Sequence, residues 1–175
     1  MRTLILGGAR SGKSSFGESL LATHPEVTYV ATARVPGDSD FAARVEKHRA
    51  RRPAHWVTED ERDLIEVLRA TPSSSLLVDD LGTWLTHRID RAAAWESDED
   101  SVYEATGIPA LLEAISAFPE DRDLVIITPE VGMGISPAFS SGRLFRDVIG
   151  RLNADVASCV DHVYFVAAGI PLRLR

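Results

Sequence analysis

A glycine-rich stretch follows directly on the first apolar run of the chain. Residues 7 to 14 read GGARSGKS and fit the pattern G-x-x-x-x-G-K-[ST] in full, between an apolar run at Thr3–Leu6 and a segment of helical period at Lys13–Leu21. In such a loop backbone N–H groups converge on phosphate oxygens, and the N-terminus of the following helix adds a positive dipole end. The pattern therefore predicts a phosphate-binding loop, with a chance glycine-rich turn as the alternative.

Each position of this loop is a candidate nucleotide-binding residue. The positions are Gly7, Gly8, Ala9, Arg10, Ser11, Gly12, Lys13 and Ser14. The Lys13 ammonium is predicted to neutralise the β- and γ-phosphate oxygens, and the Ser14 hydroxyl is predicted to bind Mg²⁺. Lys13 is therefore also a candidate catalytic residue.

Short apolar runs alternate with segments of helical period along the chain. The runs expected to be strands are Thr3–Leu6, Val27–Ala31, Leu76–Asp79, Leu124–Thr128 and Val163–Ala167. The segments expected to be helices are Lys13–Leu21, Asp40–Ala50, Glu61–Arg69, Thr83–Ala94, Ile108–Phe118 and Gly142–Val160. Near-continuous apolar runs are typical of strands buried on both faces, and their alternation with helices indicates a parallel sheet. The expected fold is one α/β domain over residues 1–175, with a doubly wound, mainly parallel sheet flanked by helices.

The second half of the chain carries three further patterns. The Gly142–Val160 segment is expected to bury one stripe, made of Leu144, Phe145, Val148, Ile149, Leu152 and Val156. Trp95–Glu104 is dense in Asp and Glu and is interpreted as a solvated loop. Gly169–Arg175 alternates leucine with arginine and predicts a short C-terminal edge strand.

Bulk composition excludes several classes of protein. With 45% apolar and 26% charged residues, the chain has the usage of a globular domain and not that of a disordered or fibrous protein. Its net charge of −7 disfavours a general nucleic-acid binder. Without a long apolar run or a signal-peptide pattern, we expect a cytoplasmic protein that does not insert into membranes. The single cysteine, Cys159, lies on the apolar side of a predicted helix and is interpreted as a core residue.

A second element supports a nucleotide site. The run at Leu76–Asp80 is an apolar strand that ends in two carboxylates, an arrangement typical of a Mg²⁺ partner in nucleotide-binding enzymes. We interpret Asp79 as the metal partner together with Ser14. The alternative role for such a residue is a helix or turn cap.

A basic segment at Lys47–Trp56 stands out in an otherwise acidic chain. His48 is a candidate nucleophile, because a neutral imidazole can attack an activated phosphorus and form a phosphoramidate. The arginines Arg49, Arg51 and Arg52 could pair with triphosphate oxygens. The alternative is a solvated basic helix end. His55, next to Trp56, is interpreted as a structural residue.

The chain resembles the bifunctional adenosylcobinamide kinase/adenosylcobinamide-phosphate guanylyltransferase family. The blocks that carry the resemblance are GGARSGKS at 7–14, ATAR at 31–34, HRARRPAHW at 48–56, EVGMGI at 130–135 and FRDVIGRLN at 145–153. The resemblance implies phosphorylation of adenosylcobinamide by ATP or GTP, then guanylyl transfer from GTP. It also implies a homotrimer. Apart from the Mg²⁺ expected at the glycine-rich loop, we expect no tightly bound prosthetic group.

By position, the resemblance makes His48 the guanylylated residue. Beyond Gly7–Ser14, the implied nucleotide-binding positions are Ala33, Arg34, Val35, Arg49, Ala50, Arg51, Arg52, Glu61 and Asp79. This sequence departs from the usual family pattern at Asp80, His87, Pro129 and the run Ala138-Phe139-Ser140. Since the nucleotide-binding blocks are intact, the departures bear mainly on the corrinoid side of the site.

Two other functions fit the same residues. One is a kinase of another small metabolite that uses only the glycine-rich loop. The other is a regulatory module that binds GTP without turnover. Retention of label from α-labelled GTP separates both from a guanylyltransferase.

Overall fold

The computed structural model describes residues 1–33, 52–70 and 73–175. The described strands are β1 (Arg2–Gly7), β2 (Val27–Ala31), β3 (Val57–Glu59), β4 (Ser75–Asp79), β5 (Leu124–Pro129), β6 (His162–Ala167) and β7 (Ile170–Arg173). The described helices are α1 (Lys13–Leu21), α2 (Leu64–Arg69), α3 (Leu81–Ala92), α4 (Glu99–Ala105), α5 (Ile108–Ser116) and α6 (Ser140–Cys159).

The strands form one seven-stranded sheet in the order β3-β2-β4-β5-β1-β6-β7. Every neighbouring pair is parallel except β6 and β7, which form an antiparallel hairpin at one edge. The predicted α/β class, the mainly parallel sheet and the C-terminal edge strand are therefore confirmed. Strand β3 was not predicted, because Val57–Glu59 is only three residues long and has no buried side chain to form an apolar run.

The interpretation of Trp95–Glu104 as a loop is wrong, because helix α4 occupies Glu99–Ala105. The Asp98 carboxylate accepts a hydrogen bond from the Ser101 N–H at 3.0 Å and caps the helix. Acidic residues in the first turn also suit the positive end of the helix dipole. The carboxylates that suggested a solvated loop therefore stabilise a helix start, and Val102 behind them is fully buried.

Helix α6 packs on one face of the sheet through the predicted stripe. Val148, Ile149, Leu152 and Val156 are fully buried, and Leu144 and Phe145 pack partly buried against the same core. Cys159 also packs partly buried against this core, in agreement with its interpretation. A smaller cluster on the other face includes Leu21 of α1, Ile127 of β5 and Trp56.

Because the strands from β3 to β6 are parallel, they all end at the same side of the sheet, here called its carboxyl end, and begin at its amino end. The carboxyl end carries the glycine-rich loop after β1 and Asp79 and Asp80 at the end of β4. It also carries Glu130 after β5. Ligands of open parallel sheets bind at this end. None of the described helices is long and apolar enough to cross a membrane.

Candidate active site at the carboxyl end of the sheet

The glycine-rich loop (Gly7–Ser14) needs glycine at two of its positions. A Cβ at Gly7 would lie 2.5 Å from Ser11 Oγ and 2.7 Å from the Val166 carbonyl oxygen. Gly12 has a φ of +98°, a left-handed conformation strained for a residue with a side chain, and it directly precedes α1. The two glycines of the motif therefore fix the turn that leads into the helix.

The turn between β6 and β7 supports the glycine-rich loop from behind. The Gly169 N–H donates to the Ser11 carbonyl oxygen at 2.7 Å. A Cβ at Gly12 would approach the Gly169 Cα to 3.0 Å, so the two turns are in close contact. The conformation of the glycine-rich loop is therefore stabilised by the β6–β7 turn as well as by its own glycines.

Lys13 extends along this loop without a carboxylate partner among the described residues. Its ammonium donates to the Gly8 carbonyl oxygen at 3.3 Å, a long contact to a neutral group. A cation at a helix N-terminus is unfavourably placed relative to the helix dipole, and a bound anion would offset this. The side chain is therefore suited to contact an anionic ligand held by the loop.

Ser14 and Asp79 meet across the gap between the glycine-rich loop and β4. The Ser14 hydroxyl donates to Asp79 Oδ1 at 3.4 Å, and the Tyr29 hydroxyl donates to Asp79 Oδ2 at 2.7 Å. Burial, with the neighbouring Asp79 charge, raises the pKa of Tyr29 far above its usual range, so Tyr29 remains a donor. Tyr29 therefore occupies one carboxylate oxygen and leaves the other directed at Ser14.

The donor set formed by Ser14 and Asp79 fits Mg²⁺. Both are hard oxygen ligands, and Mg²⁺ at nucleotide sites uses one or two protein ligands together with phosphates and waters. In the three described ranges no group of three or more His, Cys, Asp or Glu residues could hold a metal ion. A magnesium site shared with a nucleotide does not require such a group.

The adjacent carboxylate, Asp80, has a different role. Its Oδ1 accepts a hydrogen bond from the Thr83 N–H at 2.9 Å and caps α3. Burial raises the pKa of Asp80, although the hydrogen bond from Thr83 opposes the shift. The capping alternative considered for Asp79 therefore applies to Asp80, and Asp79 is the carboxylate that faces the loop.

Arg52 packs against Tyr29 and Glu18 rather than extending into solvent. Its guanidinium carbon lies 3.1 Å from the centre of the Tyr29 ring, and its Nε lies 3.9 Å from Glu18 Oε1. Only 8% of the Arg52 side chain is exposed. Stacking on Tyr29 links Arg52 to the residue that orients Asp79. Sequence reasoning assigned Arg52 to the triphosphate and gave no signal for this packing.

The remaining described candidates, Ala33 and Glu61, lie toward the β3 side of the sheet. Glu61 is exposed, and its N–H donates to Glu59 Oε1 at 3.0 Å. Three strands separate β3 from β1, so at about 4.8 Å per strand the ends of these strands are about 19 Å apart. A cleft at the end of β2, lined by Thr32, Trp84, His87, Arg88 and Arg91 among others, lies on the same side. The end of β3, near Glu61, is therefore distant from the glycine-rich loop, whereas Ala33 directly follows Thr32, whose N–H donates to the Asp79 carbonyl oxygen at 3.2 Å.

The other predicted positions lie outside the described residues. They are Arg34, Val35, His48, Arg49, Ala50 and Arg51. The predicted helix at Asp40–Ala50 lies there as well. His55 is exposed and its Nε2 contacts the His24 carbonyl oxygen at 3.2 Å, whereas its neighbour Trp56 is buried.

Asn153 is a residue near the site that sequence reasoning missed. Its Oδ1 accepts from the Thr128 hydroxyl at 2.6 Å, and its Nδ2 donates to the Pro129 carbonyl oxygen at 3.0 Å. Both contacts fix the end of β5, and the next residue, Glu130, donates its N–H to the Gly7 carbonyl oxygen at 3.1 Å. The only sequence signal for this role was an asparagine directly after Leu152 of the predicted apolar stripe.

Comparison with known proteins identifies the family. A family model described as cobinamide kinase / cobinamide phosphate guanyltransferase matches residues 3–174. The chain belongs to this family. The "Bifunctional adenosylcobalamin biosynthesis protein CobU" of Salmonella typhimurium is 34% identical over 184 residues, covering 100% of both chains. The protein named CobP of Pseudomonas aeruginosa is 37% identical over 181 residues, covering 100% of this chain and 98% of the relative.

The positions that depart from the usual family pattern have separate places in the structure. Asp80 caps α3, and Pro129 ends β5, where a Cβ at Gly82 would lie 2.6 Å from its ring. His87 lines the cleft near β2. Phe139 is 79% exposed at the start of α6. None of these residues takes part in the Lys13–Gly8 or Ser14–Asp79 hydrogen bond.

Proposed function

We propose that the chain phosphorylates adenosylcobinamide with ATP or GTP and then transfers GMP from GTP, through a phosphoramidate on His48, to give adenosylcobinamide-GDP. A family match over residues 3–174 supports both activities. The structural observation that carries the proposal is the convergence of Lys13, Ser14 and Asp79 at the carboxyl end of the sheet. A triphosphate bound there would have a cation, loop amides and magnesium ligands within one site.

In the kinase step, the adenosylcobinamide hydroxyl attacks the γ-phosphorus of the nucleotide. A new P–O bond forms, the bond to the β-phosphate oxygen breaks, the hydroxyl proton passes to solvent, and ADP or GDP leaves. Positioning and charge stabilisation dominate such transfers, and we assign both to Lys13 and the loop N–H groups. Ser14 and Asp79 would hold Mg²⁺, which would supply positive charge to offset the negative charge of the triphosphate.

In the guanylyl step, a neutral His48 nitrogen attacks the α-phosphorus of GTP. A P–N bond forms and the bond to the β-phosphate breaks, which releases pyrophosphate. A phosphate oxygen of adenosylcobinamide phosphate then attacks the same phosphorus and displaces the imidazole. The covalent intermediate divides one difficult transfer into two steps. Arg49 and Arg51 are proposed to pair with the phosphate oxygens of GTP.

The assignment extends to the rest of the candidate positions. Ala33, Arg34, Val35, Ala50, Arg52 and Glu61 complete the proposed nucleotide-binding set. Arg52 belongs to the basic segment Lys47–Trp56 and would act beside Asp79, because it stacks on Tyr29, which donates to Asp79. We also propose a single catalytic domain that assembles as a cytoplasmic homotrimer, which sedimentation equilibrium would test.

Product analysis of two histidine variants tests the proposed function. With adenosylcobinamide, GTP and Mg²⁺, His48→Ala should accumulate adenosylcobinamide phosphate and form no adenosylcobinamide-GDP. His55→Ala is the matched control and should form both products, since His55 contacts only a carbonyl oxygen among the described residues. Formation of adenosylcobinamide-GDP by His48→Ala would refute the proposed nucleophile. Absence of both products in the wild type would refute adenosylcobinamide as the substrate.

A further inference from the structure

An apolar loop lies at the carboxyl end of the sheet, between β5 and α6. We name Val131–Phe139 the apolar loop. Its large apolar side chains point to solvent: Met133 is 80% exposed, Ile135 97% and Phe139 79%. Single exposed apolar residues are common, but a cluster within nine residues is typical of a binding surface.

The apolar side chains of this loop are exposed even though both ends of the loop are hydrogen-bonded. At its start, Glu130 Oε1 accepts a hydrogen bond from the Gly132 N–H at 2.6 Å. At its end, Arg143 Nη1 donates to the carbonyl oxygens of Pro137 at 2.9 Å and Ala138 at 2.7 Å. Both ends of the apolar loop are thus tied to the protein while its apolar side chains remain outside the core.

The apolar loop begins beside the glycine-rich loop. Strands β5 and β1 are parallel neighbours, with Pro129 in register with Gly7. The Glu130 N–H donates to the Gly7 carbonyl oxygen at 3.1 Å, so the two loops diverge from one hydrogen-bonded pair of strand ends. A molecule that approaches the glycine-rich loop from the β5 side therefore passes the apolar loop.

We propose that the apolar loop binds the corrin ring of adenosylcobinamide and so presents the substrate to the nucleotide. This inference rests on the proposed function. A corrinoid is a broad macrocycle with methyl groups around its ring, and the hydroxyl that is phosphorylated ends a flexible arm. A substrate of this shape suits an open apolar surface next to the phosphate site, with the arm reaching the γ-phosphorus. Met133, Ile135 and Phe139 supply that surface.

The position of the apolar loop favours substrate over a second copy of the chain as its occupant. The acceptor must lie against the terminal phosphate during the kinase step, and the apolar loop is joined to the loop assigned to that phosphate. The exposed leucines Leu172 and Leu174 lie beyond β6 and away from the β6–β7 turn that contacts the glycine-rich loop, so they form a separate surface. They provide a control surface of similar chemistry.

Serine substitutions in the apolar loop test this proposal. For Ile135→Ser combined with Phe139→Ser we expect the KM for adenosylcobinamide to rise about tenfold, equivalent to about 1.4 kcal/mol of binding free energy. The KM for GTP and the amount of GMP bound to protein in the absence of corrinoid should match the wild type. Ile135→Leu should keep the wild-type KM, because it keeps the apolar surface. Leu172→Ser is the matched control and should also keep it.

Two results would overturn the proposal. One is an unchanged KM for adenosylcobinamide in the double variant. The other is a fall in sedimentation mass in the double variant, which would make the apolar loop an interface between copies. If the wild type binds no GMP, the proposed function fails separately. A visible-absorbance titration with adenosylcobinamide then still tests the loop, with weaker binding by the double variant than by Leu172→Ser supporting it and equal binding overturning it.

Discussion

The amino end of the sheet and the part of its carboxyl end around the glycine-rich loop and β4 use charged residues differently. At the amino end, charged groups have close polar partners: the Met1 amine lies 3.0 Å from Asp123 Oδ1, His24 Nε2 lies 2.7 Å from Asp123 Oδ2, and Arg2 pairs with Asp161 at 3.2 Å. At the carboxyl end, Lys13 contacts a carbonyl oxygen, and Asp79 contacts two hydroxyl groups. Charges that satisfy one another stabilise the fold, whereas charges held by loops and hydroxyls remain suited to a ligand.

The largest expected effect separates these two ends directly. Lys13→Ala should lower the rate of both transfers by about 10²-fold or more, because the charge that positions the triphosphate is lost. Arg2→Ala should keep the wild-type kcat and lower only the melting temperature, since it breaks a pair at the amino end. Steady-state rates and thermal melts of both variants measure this. Wild-type turnover by Lys13→Ala would contradict the assignment of the glycine-rich loop.

The next effect compares the two carboxylates at the end of β4. Asp79→Asn should raise the Mg²⁺ concentration at half-maximal rate by about 10²-fold, because the carboxylate charge opposite Ser14 is removed. Asp80→Asn should keep the Mg²⁺ dependence, because asparagine also caps helices. Asp80→Asn should also keep or raise stability, since burial raises the pKa of Asp80 and disfavours its charged form. If only Asp80→Asn changed the Mg²⁺ dependence, Asp80 and not Asp79 would be the metal partner.

A smaller effect is expected from the tyrosine that orients Asp79. Tyr29→Phe should raise the Mg²⁺ requirement by about tenfold, because partners behind a metal ligand tune its affinity. Tyr103→Phe is a matched control: its hydroxyl donates to Asp155, Arg151 lies 3.9 Å from its ring centre, and burial raises its pKa to about 12. It lies on α4, away from the carboxyl end, and should affect stability alone. Binding of Mn²⁺ to the GTP complex gives a readout independent of turnover, and equal affinities in the two variants would contradict the role of Tyr29.

The smallest effect concerns stability at the amino end. Burial opposes ionisation of Asp123, but hydrogen bonds from the Met1 amine and His24 lower the pKa of Asp123 below its usual value. A lowered pKa in the folded state adds stability above the unfolded pKa, and this stability is lost as pH falls through the folded pKa. Asp123→Asn should therefore cost about 1 kcal/mol at neutral pH and less below about pH 4. Thermal melts of the wild type and the variant at neutral pH and below about pH 4 measure this loss of stability. An equal loss at both pH values would contradict the ion pairing.

The sequence predicted the features that depend on local pattern. The apolar runs of β1, β2, β4, β5 and β6 and the stripe of α6 are strong periodic signals, and all are confirmed. Strand β3 was not predicted, because an exposed strand of three residues shows no hydrophobic periodicity. Helix α4 was not predicted, because the acidic residues at its start are also typical of a solvated loop. Long elements with buried faces can therefore be predicted, whereas short ones depend on their neighbours.

The candidate site shows the same division. Motif spacing alone indicated Lys13, Ser14 and Asp79, and the structure brings Ser14 and Asp79 within 3.4 Å of each other. Spacing could not indicate Tyr29, because it belongs to no motif and its contact with Asp79 depends on the pairing of β2 with β4. The stacking of Arg52 on Tyr29 is equally a product of the fold. Contacts between distant segments are what the structure adds.

The most direct test of an active site at the carboxyl end of the sheet is the intact mass of the protein after incubation with GTP and Mg²⁺ in the absence of cobinamide. We predict that the wild type gains the mass of one GMP, and that peptide mapping locates it at His48. Lys13→Ala should gain little or none, and Arg2→Ala should gain as much as the wild type. An unmodified wild type, or a GMP adduct at His55, would contradict the account.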